Sequence, residues 1–355
     1  MKINYQPAMT GLIASRRILR DDPFVLVDVG ALGGIGRHYE AFGDDIRVIA
    51  FEPNEEECRR LQADSDPRIT YLPLGLGGRD ESRTLYVTYI PSSSTLFRPN
   101  QEFFDRLIVE KITRVIGEET IRLTTLDAAL RGMGNIDFIK LDAEGAELDI
   151  MKAGREVLSA PDLLGIFTEI RWHRALRTPI FSEVDLFVRE FGYELYDLAL
   201  GRTSRKALPY PLTWDFRHDS RRDEKIMGGT TQGQVLGGDA LYLRDIVAVP
   251  GLNPTKILKL ACLMEIFEQR DSAAELLLAK RAALAGVVDV GDLLNALTPS
   301  VDGRNMSYEE YVRLYFADES GLRPRENVAP ANPEPPHRRS ALAATIGRLT
   351  RFFSG

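Results

Sequence analysis

Phe24-Val25-Leu26-Val27-Asp28-Val29-Gly30-Ala31-Leu32-Gly33-Gly34-Ile35-Gly36 decides how the rest of the chain is read. An apolar, β-branched run with a single acid describes a strand buried on both faces of a parallel sheet, and the glycines describe the tight turn that leaves it. A second run, Arg47-Val-Ile-Ala-Phe-Glu52, follows and also closes on an acid. Residues 54–64 then read as a helix whose first turn is acidic, where the positive end of the helix dipole favours carboxylates. Further strands are expected at 69–74, 136–141, 164–171, 193–198 and 240–244, with helices at 144–153 and 182–191. Strands alternating with helices predict an α/β fold, a Rossmann-like, mostly parallel seven-stranded sheet covered by helices on both faces. Ligands in such a sheet bind beyond the carboxyl ends of the strands.

Around this alternation the chain divides into an N-terminal segment (1–22), an α/β domain (23–249) with inserts at 79–126 and 201–238, and a helical C-terminal region (250–320). The first insert contains a strand pair, 84–90 with 120–124, around a Ser-rich stretch. The second is a long polar loop rich in Gly, Arg and aromatic residues, of the kind that is either a lid or disordered. In the C-terminal region, 256–269 and 271–285 predict an antiparallel helix pair, followed by short helices at 291–298 and 307–317. Residues 321–337 have a linker composition, and 338–355 form a basic amphipathic helix with Leu342, Ile346, Leu349 and Phe353 on one stripe and Arg338, Arg339, Arg348 and Arg351 beside it. Such a helix is expected to make peripheral contact with an anionic membrane surface, or to dock on this chain or on a twin subunit in a homo-oligomer.

The glycine-rich turn and the acid closing the second strand form a constellation for an adenosine-bearing cofactor. Glu52, about 20 residues past the turn, is placed to take both ribose hydroxyls. This serves nicotinamide, flavin and S-adenosylmethionine (SAM) cofactors alike, and three details favour SAM. The glycines at 30, 33, 34 and 36 lack the G-x-G-x-x-G spacing that cradles a pyrophosphate. Asp28 suits a ligand with a cationic amine and a sulfonium and would repel a pyrophosphate. The alternation runs through one sheet with no second nucleotide half. The expected cofactor-binding residues are Asp28, Gly30, Ala31, Gly33, Gly34, Glu52, Pro53 and Asp142.

Val27-Asp-Val-Gly-Ala31, Phe51-Glu-Pro53, Ser92-Ser-Ser-Thr-Leu96, Thr125-Leu-Asp127 and Ile139-Lys-Leu-Asp-Ala-Glu-Gly-Ala-Glu147 together resemble the FkbM family of methyltransferases, over about residues 24–244. The resemblance implies a class I methyltransferase fold with SAM as donor, and O-methylation of a sugar or polyketide hydroxyl. The turn after Gly30 carries more glycines than the usual pattern, and 201–238 and the chain beyond Pro250 lie outside the shared core.

Methyl transfer to a hydroxyl needs the oxygen, methyl carbon and sulfur in line, and a group to take the hydroxyl proton. Asp142, Glu144, Glu169 and His173 stand at the ends of the fourth and fifth strands and are the catalytic candidates, with Asp142 or His173 as base. No metal is expected, although Asp142, Glu144 and Glu169 are the set that would hold a divalent ion. Tyr210, Trp214, Arg217 and His218 in the second insert are candidate acceptor contacts, since aromatic faces and polar donors suit a sugar ring. The leading expectation is therefore a SAM-dependent O-methyltransferase acting on a sugar, glycan or glycoconjugate. A lipid, polyketide or peptide acceptor is the second reading, and a binding protein without turnover the third.

The bulk numbers are compatible with this. A net charge of −7 on 355 residues argues against nucleic acid as a partner. Cys58 and Cys262 have no metal-type spacing and read as reduced thiols. Neither a signal peptide nor a membrane-spanning run is apparent, so a cytoplasmic location is expected.

Overall fold

The computed structural model describes residues 1–63, 66–210, 215–216, 226–227, 229–245 and 252–317. Its strands are β1 (Phe24–Val29), β2 (Ile46–Phe51), β3 (Ile69–Leu72), β4 (Gly75–Leu76), β5 (Glu81–Thr88), β6 (Val115–Thr124), β7 (Phe138–Leu141), β8 (Gly165–Arg171), β9 (Tyr193–Thr203), β10 (Asp215–Phe216), β11 (Ile226–Met227) and β12 (Gln234–Arg244). The helices are α1 (Ala8–Ser15), α2 (Glu55–Ala63), α3 (Gln101–Phe104), α4 (Leu126–Leu130), α5 (Glu147–Lys152), α6 (Arg155–Ser159), α7 (Phe181–Arg189), α8 (Pro254–Ile266), α9 (Arg270–Ala279), α10 (Arg281–Leu284), α11 (Val290–Leu297) and α12 (Tyr308–Ala317).

Seven strands form one sheet in the order β3-β2-β1-β7-β8-β12-β9. The pairs from β3 to β8 are parallel, and only β12 runs the other way, antiparallel to both β8 and β9. The mostly parallel seven-stranded sheet is the one the alternation predicted, and its strand order is the class I methyltransferase topology that the resemblance implied. The chain lays β2 and β3 to one side of β1 and then returns to place β7 on the other side. The crevice opened by that reversal, at the carboxyl ends of β1 and β7, is where such sheets bind ligands.

The pleat sorts β1 residue by residue. Phe24 and Leu26 join a core shared with α1, α8, α9 and α11, while Val25, Val27 and Val29 join the one under α4, α5, α6 and α7. Helix α8 is buried along most of its length, charged residues included. The C-terminal helices are thus packed on the sheet itself. No helix among the described residues is long and apolar enough to cross a membrane. The expected linker at 321–337 and basic helix at 338–355 lie outside the described residues.

Two strands reach further than expected. The sequence ended one at Leu198 and began the other at Ala240, whereas β9 and β12 stay paired from Gln234 opposite Thr203 to Arg244 opposite Tyr193. Glycines hid the extension. A Cβ on Gly238 would stand 1.8 Å from the carbonyl oxygen of Ala199, and one on Gly201 would stand 3.0 Å from that of Gly237. Glycine there reflects close backbone approach within a sheet rather than a loop.

Candidate active site

The turn after β1 is set by one contact. Gly30 has φ +79°, and a Cβ there would lie 2.0 Å from the carbonyl oxygen of Asp142. Only glycine lets the turn lie against the end of β7. Gly30 and Ala31 donate their N–H groups to the Phe51 carbonyl, which ties the turn to the end of β2. Glu52 follows at once, 4% exposed, and one of its oxygens accepts from Asn54 N at 2.9 Å. Burial pushes its pKa up to about 7, and the nearby Glu57 and Asp28 charges add to that while the Asn54 hydrogen bond opposes it.

Gly30, Glu52, Pro53 and Asp142, all expected at the cofactor, line one cleft with Phe51 and Leu74. Asp28 does not. In register with Lys140 across β1 and β7, it points to the other side of the pleat, where Lys140 Nζ lies 3.0 Å from Asp28 Oδ1. The ammonium meanwhile donates to the carbonyls of Val29 and Gly30 at 3.1 and 3.0 Å, so it links the Asp28 charge to the turn from below. The acid expected to greet a cationic ligand is therefore neutralised inside the protein. Ala31 is fully buried, Gly33 donates to Glu57, and Gly34 packs near Tyr71 and Leu61. These three shape the turn and do not line the cleft.

The loop after β7 forms the junction of two cavities. Glu147 is buried and accepts from the N–H groups of Ala143 and Gly145 at 2.8 and 3.1 Å, folding the loop back on itself. Glu144 is thereby held in a left-handed backbone conformation with φ +51°, which is uncommon outside glycine and is concentrated at functional sites. Thr95 Oγ1 donates to the Glu144 carbonyl at 2.6 Å. Asp142 and Glu144 line the cofactor cleft and also a second cavity of about 220 Å3, together with Ser92 and Thr95.

That second cavity holds Glu169, as expected, and two residues sequence reasoning missed. Arg171 pairs with Glu144 Oε2 at 2.8 Å and, more closely, with Glu169. Asp239, midway along β12, stands opposite Glu169 in register. The reversed direction of β12 brings its amino end to the edge where the parallel strands have their carboxyl ends. Burial raises Asp239 to about 7 and Glu144 to about 8, with the Asp142 charge adding to both and Arg171 opposing. Burial also lifts Glu169 well above the usual carboxylate range. Carboxylate oxygens of Asp142, Glu144 and Glu169 lie within 4.8 Å of one another, the set named for a metal, but Arg171 already occupies two of the three.

His173 is not brought to the cavity. Its Nδ1 accepts from Ala175 N at 3.1 Å, capping a single helical turn, and its ring packs at 4.5 Å from Phe103. Tyr210 is 39% exposed and lines neither cavity, and Trp214, Arg217 and His218 lie outside the described residues. The roof of the second cavity comes from the first insert instead, through Ile90, Phe97, Phe104, Val109 and Ile112. The signal for it was the cluster of Phe97, Phe103 and Phe104 next to the Ser-rich stretch, which fills a wall rather than a strand.

Residues 28–195 match the model of the methyltransferase FkbM domain. The chain is a SAM-dependent methyltransferase. The matched span takes in Asp28, Gly30, Glu52, Asp142, Glu144 and Glu169, and ends at residue 195, well short of Asp239. No curated protein matches the chain. Among solved structures it is similar to a precorrin-6y C5,15-methyltransferase from Geobacter metallireducens GS-15 at 10% identity and TM-score 0.30, covering 65% of this chain and 87% of that one. It is similar also to a Burkholderia thailandensis 1,6-didemethyltoxoflavin-N1-methyltransferase with bound S-adenosylhomocysteine, at 14% identity and TM-score 0.27, covering 68% and 80%. At these scores the likenesses decide nothing, and the strand order of the sheet carries the fold.

The cleft fits SAM on its own terms. The glycine turn has no room for a side chain, Glu52 is a buried acid at the ribose position, and Phe51, Leu74 and Leu76 give the apolar faces an adenine needs. SAM would be held by the Gly30 turn, Glu52, Pro53 and Asp142, and it supplies a methyl group on a positively charged sulfur.

Proposed function

We propose that this methyltransferase acts on a hydroxyl group, with sugars and glycoconjugates as the acceptor class. The observation that carries the proposal is the shared edge of the two cavities. Asp142 and Glu144 belong to both, so a donor in one and an acceptor in the other meet at carboxylates. SAM held in the cleft would supply an electrophilic methyl group for the acceptor oxygen and would leave as the neutral thioether S-adenosylhomocysteine. The hydroxyl proton passes to a carboxylate, and Asp142, at the end of β7 and on both cavities, is the base. Arg171 holds Glu144 and Glu169 in place beside it. The mixed lining supports a polyol, since carboxylates and threonine hydroxyls can bond a sugar's edge while Phe97 and Phe104 take its carbon face.

Release of S-adenosylhomocysteine from SAM, measured against sugars, glycosides and non-polyol alcohols, tests the proposal. Polyols should raise the release, and Asp142→Asn should lower turnover at saturating SAM about 100- to 10,000-fold. Equal turnover by Asp142→Asn, or no response to any polyol, would sink it.

A further inference from the structure

The acceptor cavity has two unlike walls. One is apolar, formed by Ile90, Phe97, Phe104, Val109, Ile112 and Leu236. The other carries four carboxylates, Asp142, Glu144, Glu169 and Asp239, against two cations, the guanidinium of Arg171 among them and the ammonium of Lys140 behind Asp142 at 3.5 Å. Asp142 and Glu144 also face the cofactor cleft, whose ligand brings positive charge of its own. Glu169 and Asp239 face the acceptor cavity alone, side by side across β8 and β12.

Unmet polar atoms gather in the same chamber. Glu169 Oε2 is sealed from solvent with no hydrogen-bond partner, and so are the hydroxyl oxygens of Thr113 and Thr178, which also line it. A buried polar atom left unmet is costly, so this chamber is built to be completed by a ligand. Charge says which kind. Burial raises Asp239 to about 7 and Glu144 to about 8, with the Asp142 charge adding to both, and the Arg171 and Lys140 charges do not cancel this, so the wall is short of positive charge.

We infer that the acceptor carries an ammonium group beside its reacting hydroxyl, held by Glu169 and Asp239, with its carbon skeleton on the apolar wall. The ammonium supplies the missing cation between the Glu169 and Asp239 carboxyl groups. Kept protonated by the acids, its nitrogen has no free electron pair, so the methyl group goes to oxygen. An amino sugar has this chemistry. A divalent ion on Asp142, Glu144 and Glu169 would have to displace Arg171 from two of its three ligands. It would also need an oxygen-rich shell, which the apolar wall does not offer. The inference rests on the methyltransferase reading and deepens its acceptor class.

Calorimetric titrations at pH 7, with the enzyme saturated in S-adenosylhomocysteine, compare glucosamine with glucose and N-acetylglucosamine, and 2-aminoethanol with ethylene glycol. The charged member of each set should bind at least about ten-fold tighter, a difference near 1.4 kcal/mol. Asp239→Asn and Glu169→Gln should each cut that preference several-fold and leave S-adenosylhomocysteine binding unchanged. No preference for the charged probes, including no binding by any of them, overturns the inference. So does a preference abolished by stoichiometric Mg2+, which would make the site a metal site. S-adenosylhomocysteine binding reads the methyltransferase assignment separately, so failure there is distinguishable from failure of charge selection.

Discussion

Gly30 and Glu52 show how single residues set the cofactor cleft. Alanine at position 30 meets two penalties, the left-handed backbone at φ +79° and a Cβ placed 2.0 Å from the Asp142 carbonyl. The first alone is worth roughly 1–2 kcal/mol, and the second forces the turn away from the end of β7. Gly30→Ala should therefore weaken S-adenosylhomocysteine binding by about ten-fold or more, since a shift of 1.4 kcal/mol is already ten-fold. Calorimetry of a variant that still unfolds cooperatively checks this, and parent-like affinity would show that the turn does not touch the cofactor. Glu52 carries a pH signature. Its pKa is near 4.5 when the chain is unfolded and about 7 when folded, chiefly through burial. The folded state holds the extra proton between these values, so the contribution is full below the lower pKa and is lost as pH rises through the upper one. Without ligand, Glu52 alone should remove up to about 3 kcal/mol of stability between pH 5 and 8, and Glu52→Gln should flatten the profile. Denaturant melts across that range measure it, and an identical slope in the variant would mean that Glu52 is ionised in the fold.

At the scale of elements, what was legible in the sequence followed from local periodicity, and what was not followed from direction. The runs that became β1, β2 and β7 are apolar on both faces and are followed by Gly30, Glu52 and Asp142, so strand, turn and cleft edge could all be placed. Asp142, Glu144 and Glu169 were singled out that way, because each lies near the carboxyl end of a parallel strand. Asp239 could not be, since its place at the same edge depends on β12 running antiparallel, which no local pattern encodes. The glycines at 201, 237 and 238 also broke the strand pattern, and so assigned the start of β12 to a loop. Asp28 was misjudged for a related reason. Its position in the strand was clear, but its partner Lys140 is a neighbour only once β7 is laid beside β1. His173 looked catalytic by its distance from Glu169, whereas the first bend after β8 turns it into a cap and packs it on Phe103.

The whole molecule is held by a charge cluster at the edge of the sheet opposite the active site. Asp137, just before β7, is fully buried, and it accepts from Val25 N at 2.8 Å. Two lysines of α8 converge on it, Lys256 at 2.6 Å and Lys259 at 3.0 Å, and Lys259 also reaches Asp22 at 2.6 Å, just ahead of β1. The C-terminal helices are thus bound to the amino ends of β1 and β7, the two strands whose carboxyl ends make the cleft. Both ammonium groups are nearly or wholly inaccessible, so neither has water to replace a lost partner. Removing the charge at 137 would leave Lys256 with the Asp162 backbone carbonyl and the partly exposed Asp162 carboxylate at 3.7 Å, and Lys259 with the half-exposed Asp22. Stripping one partner from a buried ion pair typically costs ~3–5 kcal/mol, a large share of a total stability of about 5–15 kcal/mol. Asp137→Asn keeps an oxygen for Val25 N and loses only the charge, so it isolates this effect. It should lower unfolding free energy by about 3 kcal/mol or more while leaving S-adenosylhomocysteine affinity near the parent value at temperatures where the variant is folded. A loss under about 1 kcal/mol would place the lysine charges in contact with solvent. A loss of cofactor affinity in the folded variant would show that the helices transmit strain through β1 and β7 to the cleft, and that α8 does more than hold the sheet.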